Sequence, residues 1–394
     1  MPTFTPAASE TGDPLLLTPG PLTTSAAVKQ AMVHDWGSRD AGFIAINKMV
    51  LEKIVELAGA PDIDGKGTHV TVPVQGSGTF AVEAMITTFV PKTGKLLVLI
   101  NGAYGQRAKR IAEIAGRAVA VHETPEDRPP DLAKIDAMLA ADKAITHVFA
   151  VHCETTSGIL NPIVETAALV VKHGRRLLVD SMSAFGALEI DARDVPYDAL
   201  AASSNKCLEG VPGLGFVVCR KTALAECKGN ATTLVLDLHD QAEGFGKTGQ
   251  YRFTPPIHVI VALGKAIEEH AAEGGVAGRG GRYRDNAKVL IDGMRAMGFR
   301  TLLGEKLQAP IIVTFHMPSD PRFVFQTFYD GLKERGYVIY PGKLTVADSF
   351  RMGCIGRLYP KDIRGALAAV REVLDEMRVS NGGPALLSEQ AAAE

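Results

Sequence analysis

Lys95-Leu96-Leu97-Val98-Leu99-Ile100 runs directly into Asn101-Gly102-Ala103-Tyr104-Gly105-Gln106-Arg107, and from 107 to 116 the apolar residues recur three or four apart. An apolar run of strand length, a glycine turn and a helical period together describe one strand–turn–helix unit. The same grammar returns at residues 147–151, 176–180 and 215–219, with helix-like stretches at 131–141 and 163–173 between them. Strands rich in Val, Ile and Leu that alternate with helices predict an α/β fold. Its large domain should hold a mostly parallel sheet of the seven-stranded type, flanked by helices on both faces. Ligands of such sheets sit outside the carboxyl ends of the strands. Here those ends carry residues 101–104, residues 152–156 and Asp180.

Beyond residue 220 the pattern changes. A helical stretch at 257–273 follows Pro255-Pro256, glycines at 274, 275, 278, 280 and 281 interrupt it, and a helix is expected to resume over 286–297. Residues 300–378 read as a smaller α+β unit, with strands near 309–315, 337–340 and 350–354 and helices near 322–335 and 361–378. The expected organisation is a loose leader at 1–14, a large domain over 15–285, a small C-terminal domain over 286–380 and a frayed tail at 381–394.

The bulk numbers exclude some classes. The chain has 394 residues, 46% hydrophobic and 22% charged, with a net charge of −2, so nothing in the bulk charge favours nucleic acid or an acidic membrane. No apolar run reaches the length of a membrane helix. Residues 1–14 lack the basic and apolar regions of a signal peptide. The five cysteines are scattered and odd in number, with no Cys-x-x-Cys pair, which predicts neither zinc nor a disulfide frame and suits a reducing cytoplasm.

Two residues carry the chemistry. Lys206 lies in Ser203-Ser204-Asn205-Lys206-Cys207, after a small-residue strand and before a tight loop. Most lysines are solvated, but a long amine in such a setting points into a cleft, where burial lowers its pKa and makes it nucleophilic. Asp180 ends Leu177-Leu178-Val179-Asp180. A carboxylate there either caps the next turn, the commoner outcome, or pairs with a cation. A lysine that can bond an aldehyde and an aspartate that can keep a pyridine nitrogen protonated are the pair that pyridoxal phosphate chemistry needs.

Other segments are ambiguous singly. Gln75-Gly76-Ser77-Gly78-Thr79-Phe80 opens a helical stretch and could hold a phosphate at Ser77, Gly78 and Thr79, or form an ordinary capped turn. Tyr104 could stack on a planar ring or cover a domain edge. Arg351, in Ser349-Phe350-Arg351-Met352-Gly353, asks for a carboxylate, either internal or brought by a substrate. Arg252 stands in Tyr251-Arg252-Phe253-Thr254-Pro255-Pro256 beside a hydroxyl and a rigid turn.

Taken in order, these segments, with Leu15-Leu16-Leu17-Thr18-Pro19-Gly20-Pro21-Leu22-Thr23-Thr24-Ser25, Glu154-Thr155-Thr156 and Tyr340-Pro341-Gly342-Lys343, resemble the fold-type I pyridoxal phosphate enzymes of the class V aminotransferase group. The similarity is closest to the phosphonate transaminases of that group and extends from residue 15 to about 375. It implies that Lys206 bonds the cofactor and moves the proton, that Asp180 pairs with the ring nitrogen, and that Ser77, Gly78 and Thr79 hold the cofactor phosphate. It further implies that Tyr104 stacks on the ring, Thr156 lies near the ring hydroxyl and Thr254 reaches the phosphate of a neighbouring subunit in a homodimer. Arg351 would bind the substrate carboxylate. The implied reaction moves the amine of 2-aminoethylphosphonate to pyruvate by a ping-pong route, and a phosphonate asks for cations at the mouth, for which Arg39 and Arg252 are candidates. Two alternatives stay open: alanine–glyoxylate or serine–pyruvate transamination on the same scaffold, and a nucleotide-binding α/β protein. The missing Gly-x-Gly-x-x-Gly weighs against the second.

Overall fold

The computed structural model describes residues 4–60, 67–344 and 347–384. A seven-stranded sheet forms its centre. Its strands are β1 (His69–Gln75), β2 (Lys95–Ile100), β3 (Ala118–Glu123), β4 (Ile145–Val151), β5 (Arg176–Asp180), β6 (Ala199–Ser203) and β7 (Leu214–Arg220). They lie in the order β1-β7-β6-β5-β4-β2-β3. Only β7 runs against its neighbours, pairing antiparallel with both β1 and β6. The expected parallel sheet is therefore present with one reversed strand. β1 and β3 were not foreseen from the sequence, and Pro73 within β1 is one reason.

The helices are α1 (Ala41–Leu57), α2 (Gly78–Phe89), α3 (Ala103–Ile114), α4 (Leu132–Ala141), α5 (Ile163–Lys172), α6 (Leu238–Thr248), α7 (Ile257–Ala272), α8 (Gly275–Ala296), α9 (Phe325–Glu334) and α10 (Pro360–Glu376). Strand side chains alternate between two cores, as the pleat requires. Leu97, Leu99, Val148 and Ala150 face α1, α5 and α7 through Val50, Ile54, Val170, Ile260 and Leu263. Leu96, Val98, Ile100, Phe149 and Val151 face α2 and α3 through Met85, Phe89, Ala108 and Ile111. A sheet with both faces covered explains the continuous apolar runs read from the sequence.

A second, three-stranded antiparallel sheet joins β8 (Ile312–His316), β10 (Ser349–Gly353) and β9 (Tyr340–Pro341), in that order. Phe299, Phe315, Phe328 and Phe350 pack in its core with residues of α8 and α10. Leu15–Leu16 pairs in parallel with Tyr337–Val338, so the opening segment leans on this unit. The glycine-rich stretch was expected to interrupt the helices, yet α8 starts at Gly275 and runs unbroken to Ala296. Each helical glycine costs about 1 kcal/mol relative to alanine, but the burial of Arg279, Tyr283, Asn286, Leu290 and Met294 on one helix outweighs it.

Candidate active site

The carboxyl ends of β2, β4, β5 and β6 converge. Register places Val151 beside Asp180 and Asp180 beside Ala201. His152 N donates to Asp180 O at 2.8 Å, and Met182 N donates to the Asp180 carboxylate Oδ1 at 2.9 Å. Asp180 is 5% exposed. Burial pushes its carboxyl up to about 6, with the Glu154 charge adding to the rise, while the Met182 amide and the charges of Arg107 and Lys206 oppose it. A partner cation would restore the ionised form.

Lys206 leaves the end of β6 and its Nζ donates to the carbonyl of Pro19 in the opening segment. Burial lowers its amine to about 8, and Arg351 pushes the same way, against the opposing pull of Asp180. Lys206 and Asp180 thus feel each other's charge, and the structure brings together the pair read from the sequence.

The β1–α2 turn sits beside them. Ser77 is the N-cap of α2, and its side chain makes no capping bond. Thr79 Oγ1 accepts from Arg107 Nη1 at 3.0 Å. The α2 N-terminus thus keeps a Ser77 hydroxyl not spent on capping and a Thr79 hydroxyl held by Arg107, and a helix N-terminus of this kind suits an anion.

Tyr104 lies in the first turn of α3. Gly102, the N-cap of that helix, has no side chain to offer. Capping comes instead from the β4–α5 connection. Ala103 N donates to Thr156 Oγ1 at 2.9 Å and Tyr104 N to Glu154 Oε2 at 3.2 Å. Glu154 Oε1 also accepts from Thr156 N at 3.0 Å and from Thr156 Oγ1 at 2.6 Å. Glu154 is fully buried, and burial raises its pKa against these hydrogen bonds. A β-carbon at Gly102 would stand 2.4 Å from Glu154 Cδ, so the carboxylate needs the glycine as its wall. Nothing in the sequence marks Glu154 as a site residue beyond its place in Glu154-Thr155-Thr156.

Two cations lie over the Tyr104 ring, and the charge of a third, Arg351, reaches its hydroxyl. The Arg107 guanidinium lies 5.0 Å from its ring centroid and Lys343 Nζ 4.6 Å. Arg351, in the middle of β10 and 2% exposed, lies 5.0 Å from the Tyr340 ring. Its Nη1 donates to Thr155 O at 2.7 Å and its Nε to Pro341 O at 3.1 Å. Among the described residues none of the three forms an ion pair with a carboxylate, and Arg351 Nη2 makes no hydrogen bond. Of the two carboxylates expected for Arg351, the internal one is thus not found. Arg107 and Lys343 were not foreseen.

The remaining candidates lie apart. Arg252 spends its guanidinium on Gln241 Oε1 at 3.0 Å and on the carbonyls of Leu234 and Asp237, at the start of α6. Arg39 and Thr254 are exposed, and among the described residues neither shares a hydrogen bond or ion pair with Lys206, Asp180 or Arg351.

The fold and this cluster define a class. The family model for aminotransferase class V matches residues 52–332, and the chain belongs to that family. It is an aminotransferase, of a family that depends on pyridoxal phosphate. It is 54% identical over 366 residues to a 2-aminoethylphosphonate–pyruvate transaminase of Pseudomonas putida strain W619, covering 93% of this chain and 98% of the relative. A transaminase of the same name from Pseudomonas fluorescens strain Pf-5 is 53% identical over 367 residues, with the same coverage. Among solved structures, a pyridoxamine–pyruvate aminotransferase of Mesorhizobium loti superposes with a TM-score of 0.84 at 24% identity, covering 95% of this chain and 96% of that one, which establishes the shared fold.

Proposed function

We propose that this aminotransferase carries pyridoxal phosphate on Lys206 and moves the amine of 2-aminoethylphosphonate to pyruvate, leaving phosphonoacetaldehyde and alanine. The donor set fits the cofactor group by group. A buried amine of lowered pKa suits its aldehyde, a buried carboxylate with one amide partner suits its ring N–H, and the open turn Ser77–Gly78–Thr79 suits its phosphate. When bound, the cofactor supplies an electron-withdrawing ring that stabilises charge at the substrate carbon.

The chain's own residues do the rest. Asp180 would hold the ring proton, since a cation beside it pays back the cost of burying its charge. Lys206 Nζ, its pKa lowered to about 8, would take the proton from the amine-bearing carbon and return it one step later. Tyr104 would stack on the ring, held by the caps of Glu154 and Thr156. Arg351 would take the carboxylate of pyruvate or alanine through its unused Nη2.

The observation that carries the donor is the set of Arg107, Lys343 and Arg351, three cations near enough for their charges to act on one another, with no carboxylate ion pair among the described residues. Such a set favours an oxyanion of more than one charge. Full-length likeness to phosphonate transaminases supports the same donor. Arg39, being exposed and outside this set, is the weaker cation for that role. We further propose a homodimer in which Thr254 serves the neighbouring site, and a division near residue 285, within α8. No helix among the described residues is long and apolar enough to cross a membrane. The five cysteines are all free and buried, in keeping with a cytoplasmic location.

The test is a panel of amino donors with pyruvate or glyoxylate as acceptor. 2-Aminoethylphosphonate should be used far better than alanine with glyoxylate, or serine with pyruvate, and varying both substrates should give parallel initial-rate lines. Preference for alanine with glyoxylate would replace the phosphonate reading.

A further inference from the structure

Glu209 stands three residues beyond Lys206 with φ at 60°, in the left-handed region that side chains other than glycine occupy at a cost. Glycine would adopt this backbone freely. The carboxylate, rather than the turn, therefore explains the residue. Glu209 is 2% exposed. Its Oε1 accepts from Tyr283 Oη at 2.5 Å and from Arg282 Nη2 at 2.8 Å, with Arg279 Nη1 3.6 Å away. A second acid, Glu273, accepts from Arg279 Nε and Arg282 Nε, each at 2.6 Å. Two guanidinium groups thus balance two carboxylates, the condition under which a buried charge cluster is tolerated.

The cluster reaches both ends of the site. Toward Lys206, Arg279 Nη1 donates to Cys207 O at 2.6 Å and Glu209 N donates to Lys206 O at 2.7 Å. Toward Arg351, Arg282 Nη1 donates to Gly356 O at 2.5 Å and Leu358 O at 2.9 Å, and Gly356 N donates to Tyr283 Oη at 3.2 Å. Asn286 Nδ2 adds bonds to Cys354 O and Leu358 O, each at 3.0 Å. Residues 279, 282, 283 and 286 share one face of α8, as the helical period dictates. Tyr283 Oη joins Glu209 to Gly356 in a single step.

We propose that Glu209, gripped by Arg282 and Tyr283, is a positioning residue that ties the Lys206 loop to the loop behind Arg351, so that the cofactor-bearing lysine and the carboxylate-binding arginine share one rigid frame. This rests on the roles given above to Lys206 and Arg351. A rigid frame matters because a displacement of about 1 Å at a reacting group can cost roughly 100-fold in rate.

The full chain, reconstituted with pyridoxal phosphate, tests this with Glu209→Gly, Glu209→Gln and Arg282→Lys. Three quantities are read: the cofactor dissociation constant from the visible absorbance, KM for pyruvate separately from kcat, and the melting temperature. Glu209→Gly relaxes the backbone but removes the carboxylate, and it should raise both the cofactor constant and KM by about 10- to 100-fold. Glu209→Gln, which keeps one acceptor, should fall between it and the parent. A lower melting temperature with both constants within about twofold of the parent would mean a structural cluster only, and would overturn the proposal. So would a change at one end alone. Should Glu209→Gly not fold, Glu209→Gln and Arg282→Lys report the same two constants. Failure of the underlying functional reading looks different, since the parent protein would then neither take up the cofactor nor transaminate.

Discussion

The Lys206 side chain packs against Gly20, where an added β-carbon would stand 2.7 Å from Lys206 Nζ and 2.9 Å from Lys206 Cδ. Gly20 has φ at 116°, a backbone that side chains rarely adopt. Gly20→Ala should therefore strain the opening segment and push Lys206 aside, destabilising by about 1–3 kcal/mol. Cofactor uptake, followed by visible absorbance, should fall with it, and unchanged uptake would show that this contact does not position the lysine.

The Lys206 amine should react as an unusually acidic lysine. Only the neutral amine attacks an aldehyde. With a folded pKa of about 8 in place of 10.5, roughly a tenth is neutral at pH 7, against well under a thousandth for an ordinary lysine. In cofactor-free protein, the rate of adduct formation with an aldehyde should climb with pH and level off above about 8. A rate still climbing steeply past pH 10 would mean that burial does not lower this amine.

Arg351 should matter to the acceptor more than to the cofactor. Charge-assisted hydrogen bonds contribute about 1.5–3 kcal/mol, so Arg351→Met should raise KM for pyruvate by roughly 10- to 100-fold. Binding of the cofactor to the variant should stay near that of the parent. Equal loss in both measurements would place Arg351 in the cofactor site instead.

Glu154→Ala should lower stability by about 2–4 kcal/mol, since it strips the cap from the α3 N-terminus and leaves buried N–H groups without acceptors. Thr156→Ala removes the other half of the same cap, so the two losses should fall short of adding. Urea midpoints of the two single variants and the double variant measure this. Full additivity would mean that Glu154 and Thr156 act independently.

Thr254 is exposed in the single chain. If it serves a neighbouring site, Thr254→Ala should weaken cofactor retention by about 10-fold while leaving thermal stability unchanged within about 0.5 kcal/mol. Light scattering should give the mass of two chains at assay concentration. A fully active single-chain species would end the shared-site reading.

The strand–turn–helix order, the parallel sheet, and the placing of Asp180 and Lys206 at strand ends were all legible in the sequence. Each rests on local properties: an apolar run, a glycine turn, a helical period. Ser77, Gly78 and Thr79 were legible for the same reason, as a turn before a helix. The cap that Glu154 gives to Tyr104 was not, because its partners lie 50 residues apart and its burial comes from the whole fold. Nor was the meeting of Arg107 and Lys343 on one ring, or the unbroken course of α8 through its glycines, where tertiary burial overrides propensity. Local sequence was thus enough for the apolar strands at 95–100, 147–151, 176–180 and 215–219 and for the chemistry carried at their ends, but not for β1, β3 or the course of α8. Which distant charges gather near Lys206 and Tyr104 follows from packing alone, since charges far apart along the chain become neighbours only when the sheets and helices pack.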